Sequence, residues 1–147
     1  REGGFGHREV AIRANGLDTP WGADDMAAIA GSGADAVLVP KVSTPDDILA
    51  CEAALAGAPT ALQLWAMVET CASIARLDAI AARATDTRLS LFIAGTNDLA
   101  KEMRAQLTPG RTPFLPLLSA CATTSAISKP SAPRRNRACC SALTARP

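Results

Sequence analysis

Four short apolar runs, each followed by a segment with helical spacing, recur at intervals of about 25 to 30 residues, the size of one strand-plus-helix unit. The runs are Glu9-Val10-Ala11-Ile12-Arg13, Ala36-Val37-Leu38-Val39-Pro40, Leu62 to Val68, and Leu89 to Ala94. The second is too uniformly apolar to leave a face for water, so the strands are expected to be buried on both faces, as in a parallel sheet. Helix signals lie between the runs. Thr19-Pro20 supplies an N-cap and first-turn proline for a helix carrying Asp24, Asp25, Met26 and Ile29 and ended by Gly31 and Gly33. Thr44-Pro45-Asp46-Asp47 is the strongest start signal, with Ile48, Cys51 and Leu55 on one face and Gly57 and Pro59 as the stop. Ile74, Leu77 and Ala81 mark a third helix. Gly95 turns the fourth strand, and Thr96 is expected to cap a helix carrying Leu99 and Met103. Buried strands alternating with amphipathic helices define an α/β protein with a parallel sheet covered by helices.

Composition sets limits on this reading. An apolar content of 48% is ordinary for a globular domain, and 147 residues fall short of the roughly 250 that a closed (β/α)₈ barrel takes. No stretch approaches the 18 to 20 or so apolar residues needed to cross a bilayer, and no apolar run follows a basic N-terminal segment. A cytoplasmic location is the expectation. The five cysteines form no CxxC pair, and His7 is the one histidine, which argues for free thiols and against a sulfur-bound metal.

Charge divides the chain. Residues 1–103 carry eight Lys or Arg against fourteen Asp or Glu, a net of −6, whereas residues 104–147 carry seven basic residues and no acid, a net of +7. From Ser119 onward Ser, Ala, Thr, Pro, Arg and Cys dominate with little periodicity, a composition that buries too little apolar surface to offset the entropy of ordering. Residues 1–118 therefore read as the domain and 119–147 as an irregular, low-complexity basic tail. The abruptness of the change leads to the expectation that the tail is read from a shifted frame, with barrel-like sequence in another frame of the source gene.

In a parallel sheet, functional groups gather where strands end and the following loops begin. Arg13, Lys41, Glu69 and Asp98 stand at or just after the four runs. Buried strands rarely tolerate charge unless it is paired or liganded. Glu69 and Asp98 would make a hard oxygen site suited to Mg²⁺, and Arg13 offers a planar fork for a substrate carboxylate. Together they describe a 2-oxo or hydroxy acid chelated on a metal. Each residue also has an ordinary structural reading. Asp98 falls in a helix first turn, where an acid is favourable without any ligand. Glu69 could form a salt bridge to Arg13 or Lys41. Lys41 could be a solvated loop lysine, Trp21 and Trp65 packing residues, and His7 an exposed one.

Four segments carry a family resemblance in order: Arg13-Ala14-Asn15-Gly16-Leu17-Asp18-Thr19-Pro20-Trp21, Ala36 to Val42, Met67-Val68-Glu69-Thr70, and Gly95-Thr96-Asn97-Asp98-Leu99. They resemble the motifs of the citrate lyase β-subunit family, part of the HpcH/HpaI aldolase superfamily, over roughly residues 1 to 118. The resemblance implies a (β/α)₈ barrel, of which about four units would be present here. It also implies Mg²⁺-dependent cleavage or formation of a carbon–carbon bond in a hydroxyacyl-CoA of the citryl, malyl or citramalyl type, usually in trimers or hexamers. By position, Glu69 and Asp98 match the metal-binding acids and Arg13 the arginine that binds the substrate carboxylate. Lys41, Gly95, Thr96 and Asn97 fall in the matching motifs as substrate-binding positions, and Arg13 and Glu69 as the catalytic pair. The chain departs from the family in three places. The acidic opening strand has no counterpart, Cys71-Ala72-Ser73 stands where relatives carry Pro or Gly, and the βα units expected after Thr108-Pro109-Gly110-Arg111 are replaced by the basic tail.

Other readings remain at this stage. One is an aldolase acting on a 2-oxo acid without CoA. A nucleotide-binding α/β domain needs a Gly-rich turn between strand and helix, but Gly31-Ser32-Gly33 precedes a strand and Gly3-Gly4-Phe5-Gly6 has no clear strand before it. A nucleic-acid-binding tail would use Lys129, Arg134, Arg135 and Arg137, yet no aromatic residue follows Phe114 to stack on bases.

Overall fold

The computed structural model describes residues 5, 6 and 8–127, so His7, Cys139, Cys140 and the basic cluster at 129–137 lie outside the described residues. Four strands, β1 (Ala11–Arg13), β2 (Ala36–Val39), β3 (Gln63–Val68) and β4 (Leu89–Ala94), form one parallel sheet in the order β1-β2-β3-β4. Each connection returns the chain to the adjacent position, as in a (β/α)₈ barrel. A doubly wound sheet would show a reversal of order, and the described strands show none. The architecture is a partial barrel of four strands with helices on one side.

The sheet has two unequal faces. Val37, Val39, Leu64, Ala66, Val68 and Phe92 are buried in one core with Met26, Ile48, Leu55, Ile80, Leu99 and Phe114 from the helices and loops. The opposite face carries the in-register row Arg13, Leu38, Trp65 and Leu91, of which the three apolar members are half-buried and Arg13 is exposed. The expectation of strands buried on both faces therefore holds for the helix side only, because four strands do not curl far enough to cover their own inner face.

Helices α1 (Gly22–Ala30), α2 (Pro45–Ala54), α3 (Cys71–Ala75), α4 (Leu77–Ala82), α5 (Thr96–Met103) and α6 (Leu115–Ile127) follow the sequence signals unevenly. Thr44 caps α2 through a full capping box, its hydroxyl accepting from the Asp47 N–H and the Asp47 carboxylate accepting from the Thr44 N–H. Thr19 does not cap α1. Its hydroxyl donates to the Gly16 carbonyl at 2.7 Å, which closes a turn and delays the helix to Gly22. Glycine is required there, since a Cβ on Gly22 would lie 2.2 Å from the Gly16 oxygen. The helix expected through Ile74, Leu77 and Ala81 is two short ones, broken where the Arg76 N–H bonds Ser73 in a tightened turn. Residue 119, where the composition changes, falls inside α6, which buries Leu117, Cys121 and Thr124. Among the described residues no helix is long and apolar enough to cross a membrane.

Phe114 is wholly buried where the chain enters α6, so Phe114→Ala should cost about 3–5 kcal/mol in equilibrium urea unfolding. Thr44→Ala should cost about 1 kcal/mol. A Phe114→Ala chain within about 1 kcal/mol of wild type would mean that α6 is not seated on the sheet.

Candidate metal and substrate site

Because the strands are parallel and pair in sequential order, Arg13, Lys41, Glu69 and the Gly95–Asp98 segment all emerge at one edge of the sheet. Glu69 follows the last residue of β3 and is 6% exposed. Its Oε1 accepts a hydrogen bond from the main-chain N–H of Lys41 at 2.9 Å. The neighbouring strand is pinned beside it, where the Gly95 N–H donates to the Val68 carbonyl at 2.9 Å. A Cβ on Gly95 would lie 2.6 Å from the Glu69 Cβ and 2.7 Å from its Oε2, so the carboxylate packs against a position only glycine can occupy. Among the described residues nothing donates to Oε2. The result is a nearly buried carboxylate with one oxygen fixed and the other available.

Neither salt bridge considered for Glu69 forms among the described residues. Lys41 reaches it through the backbone, in a left-handed conformation with φ of 54°. The Lys41 side chain is exposed, which is the placement of a solvated loop lysine or of one awaiting an anionic ligand.

Asp98 sits in the first turn of α5, as expected, but Gly95 rather than Thr96 is the residue preceding the helix, and no side chain caps it. Thr96 is the first helical residue and is buried, while Asn97 is exposed. The Asp98 carboxylate pairs with Lys101 Nζ at 3.1 Å, and the two side chains are 52% and 80% exposed. An ion pair that open to water is worth roughly 0–1 kcal/mol and yields easily to a stronger cation. Asp98 thus lies three residues from the glycine that touches Glu69, with its carboxylate committed only to a weak partner.

Arg13 is exposed, faces the same side of the sheet as Trp65, and has no ion-pair partner among the described residues. Register sets it level with Trp65, four residues before Glu69, which is about 13 Å along a strand before twist is counted. Arg13 and Glu69 therefore suit opposite ends of one elongated ligand better than a single ion.

Several contacts at this edge had no sequence reading. The Ser43 and Thr70 hydroxyls lie 2.9 Å apart and join the loops after β2 and β3. Glu102 accepts the Cys71 N–H at 3.0 Å, tying α5 to α3. Asp25 accepts both the main-chain and side-chain N–H of Asn15, bracing the loop after β1. The partners of Ser43–Thr70, Glu102–Cys71 and Asn15–Asp25 lie 27, 31 and 10 residues apart, beyond any local pattern. The described cysteines Cys51, Cys71 and Cys121 are free. Burial, reinforced by Asp47, pushes the Cys51 thiol up to about 12, and burial with Glu102 raises that of Cys71, so neither is a ready nucleophile at neutral pH.

Among the described residues no group of three or more His, Cys, Asp or Glu converges on one point. That pattern is unlike a zinc site, but Mg²⁺ sites commonly use one or two carboxylates and complete their shell with water and substrate oxygens. Residues 4–134 match the HpcH/HpaI aldolase/citrate lyase family. This chain belongs to that family. Within it, the chain is 42% identical over 117 residues to a (3S)-malyl-CoA thioesterase of Cereibacter sphaeroides, spanning 80% of this chain and 39% of that protein. It is 32% identical over 114 residues to citrate lyase subunit beta of Escherichia coli (strain K12), covering 73% and 37%. Its fold superposes on protein CitE from Mycobacterium tuberculosis, crystallised with magnesium and acetoacetate, with a TM-score of 0.62 and 21% identity over 79% of this chain and 46% of the other. The chain thus spans about two fifths of the length of the curated relatives it matches.

Gly95→Ala should push Glu69 off its seat and cost about 1–3 kcal/mol in urea unfolding. Wild-type stability in that variant would show that Glu69 is not held against Gly95.

Proposed function

We propose that this chain carries the metal- and carboxylate-binding part of a carbon–carbon lyase site for a hydroxyacyl-CoA of the citryl, malyl or citramalyl type. The observation that carries this reading is the Glu69 carboxylate, buried at the end of a parallel strand, fixed through Oε1 and open at Oε2. Burying a carboxylate is costly, and a single main-chain N–H offsets only part of that cost. A cation held by Glu69 would supply the remainder. The donors at hand, Glu69 and Asp98, are hard oxygens that fit Mg²⁺. A bound Mg²⁺ would polarise the oxo-acid carbonyl as a Lewis acid.

The chain's own groups then divide the work. Glu69 and Asp98 would hold the ion, Asp98 in place of its weak pair with Lys101. Arg13 grips the far carboxylate of the acid through two parallel hydrogen bonds, and its exposure leaves it free to do so. Gly95 turns the chain into α5, and at Thr96 and Asn97 the N–H groups, which no side chain caps, favour a substrate oxygen. The exposed Lys41 ammonium suits a further anionic group of the substrate. In the cleavage direction the hydroxyl gives up its proton to a base as its carbon becomes a carbonyl, and the bond to the carbon beside the thioester breaks. That carbon takes the electron pair and then a proton, giving an oxo acid and an acyl-CoA. Assembly into homo-oligomers, as trimers or hexamers, belongs to the same proposal.

The (3S)-malyl-CoA thioesterase relative favours a second reading, hydrolysis of the thioester on the same site. Product analysis separates them: an oxo acid with an acyl-CoA for the lyase, a hydroxy acid with free CoA for the hydrolase.

Titration calorimetry on the full chain tests the shared metal site. Wild type should bind Mg²⁺, and Glu69→Ala and Asp98→Ala should each weaken binding by about tenfold or more, roughly 1.4 kcal/mol. Equal binding by all three would contradict the assignment.

A further inference from the structure

We infer that the Ser43–Thr70 hydroxyl pair is a positioning device for Glu69, acting through the main chain of Lys41. Ser43 Oγ donates its one proton to the Lys41 carbonyl at 3.0 Å. The bond between the two hydroxyls, 2.9 Å long, must then be donated by Thr70. Thr70 Oγ1 in turn accepts the Ser73 N–H at 3.0 Å. The bonds thus run in one direction, from Ser73 through Thr70 and Ser43 to the Lys41 carbonyl, and the Lys41 N–H continues to Glu69 Oε1.

Both ends of this chain are anchored. Thr70 belongs to the capping box of α3, and the Ser43 N–H is held at 2.8 Å by Asp47, the acid of the capping box of α2. The hydroxyl pair therefore fastens two helix starts to each other across adjacent βα loops. Between them sits Lys41 with φ of 54°, a conformation that a non-glycine residue adopts unfavourably when left to itself. Held at its carbonyl by Ser43 and at its N–H by Glu69, the residue stays there. Without the Ser43 hydroxyl, Lys41 is free to relax toward negative φ, and the donor that fixes Glu69 Oε1 moves with it. The exposed ammonium has no part in this function. Partners of a metal-binding side chain that make no contact with the ion commonly change affinity 10- to 100-fold when removed.

The inference rests on the proposed metal role of Glu69 for one of its two measurements only. Ser43→Ala is the clean variant, since it leaves both capping boxes intact. In the full chain, the Lys41 amide proton, shifted downfield by its bond to a carboxylate, should move upfield in Ser43→Ala and return in Ser43→Thr. The Mg²⁺ dissociation constant should rise about tenfold in Ser43→Ala and recover in Ser43→Thr. Thr70→Val should reproduce both effects from the other side of the link, and Thr70→Ser should not, which covers the case in which Ser43→Ala folds poorly. An unmoved Lys41 amide, with Mg²⁺ affinity within about twofold of wild type, would overturn the inference. If wild type binds no Mg²⁺, the metal role of Glu69 fails, and the amide shift alone decides whether the hydroxyl pair positions the carboxylate.

Discussion

A carboxylate at the buried end of a central strand is the constraint around which the described edge of this molecule is arranged. Glu69 cannot be left without donors, and the nearest one comes from the next loop as the Lys41 N–H. That bond goes with parallel register between β2 and β3 and a left-handed residue in the loop after β2, while β4 passes so close to the same side chain that only glycine fits at position 95. A change at any of these positions reaches the same oxygen pair.

The sheet sets this local arrangement beside the other loops at the same end of the strands. In-order parallel strands bring four loops to one edge, so residues from widely separated parts of the chain converge without any long connection. On that edge α5 starts without a side-chain cap, and Asp98 in its first turn is paired only weakly with Lys101. Among the described residues, the opposite end of β4 carries the Arg88–Glu52 ion pair beside the last turn of α2, not beside a helix start.

Much of the fold was readable from local signals. Leu89 to Ala94 is β4 as its apolar run indicates, and Thr44 caps α2 because the whole box lies within four residues. Thr19 misled because its hydroxyl had a nearer acceptor in Gly16, a competition that no N-cap pattern reveals. The break at Arg76 escaped notice because Ile74, Leu77 and Ala81 keep helical spacing on both sides of it. At the candidate site, Arg13, Lys41, Glu69 and Asp98 were legible as charges that stand at or after the ends of apolar runs. Their roles relative to one another were not, since Lys41 acts on Glu69 through its backbone, which every residue possesses. Ser43, Thr70 and Glu102 gave no signal because their partners are set by the pairing of strands.

The most direct test of a metal held between the ends of β3 and β4 is paramagnetic broadening of backbone amides by substoichiometric Mn²⁺, an ion of similar ligand preference to Mg²⁺. Broadening should appear first at Glu69, Thr70 and Gly95 through Asp98, with the amide of Leu38 affected later. Broadening that instead begins at the exposed acids of α1 or α2, or that spreads evenly over all acidic segments, would contradict a metal centre at this edge.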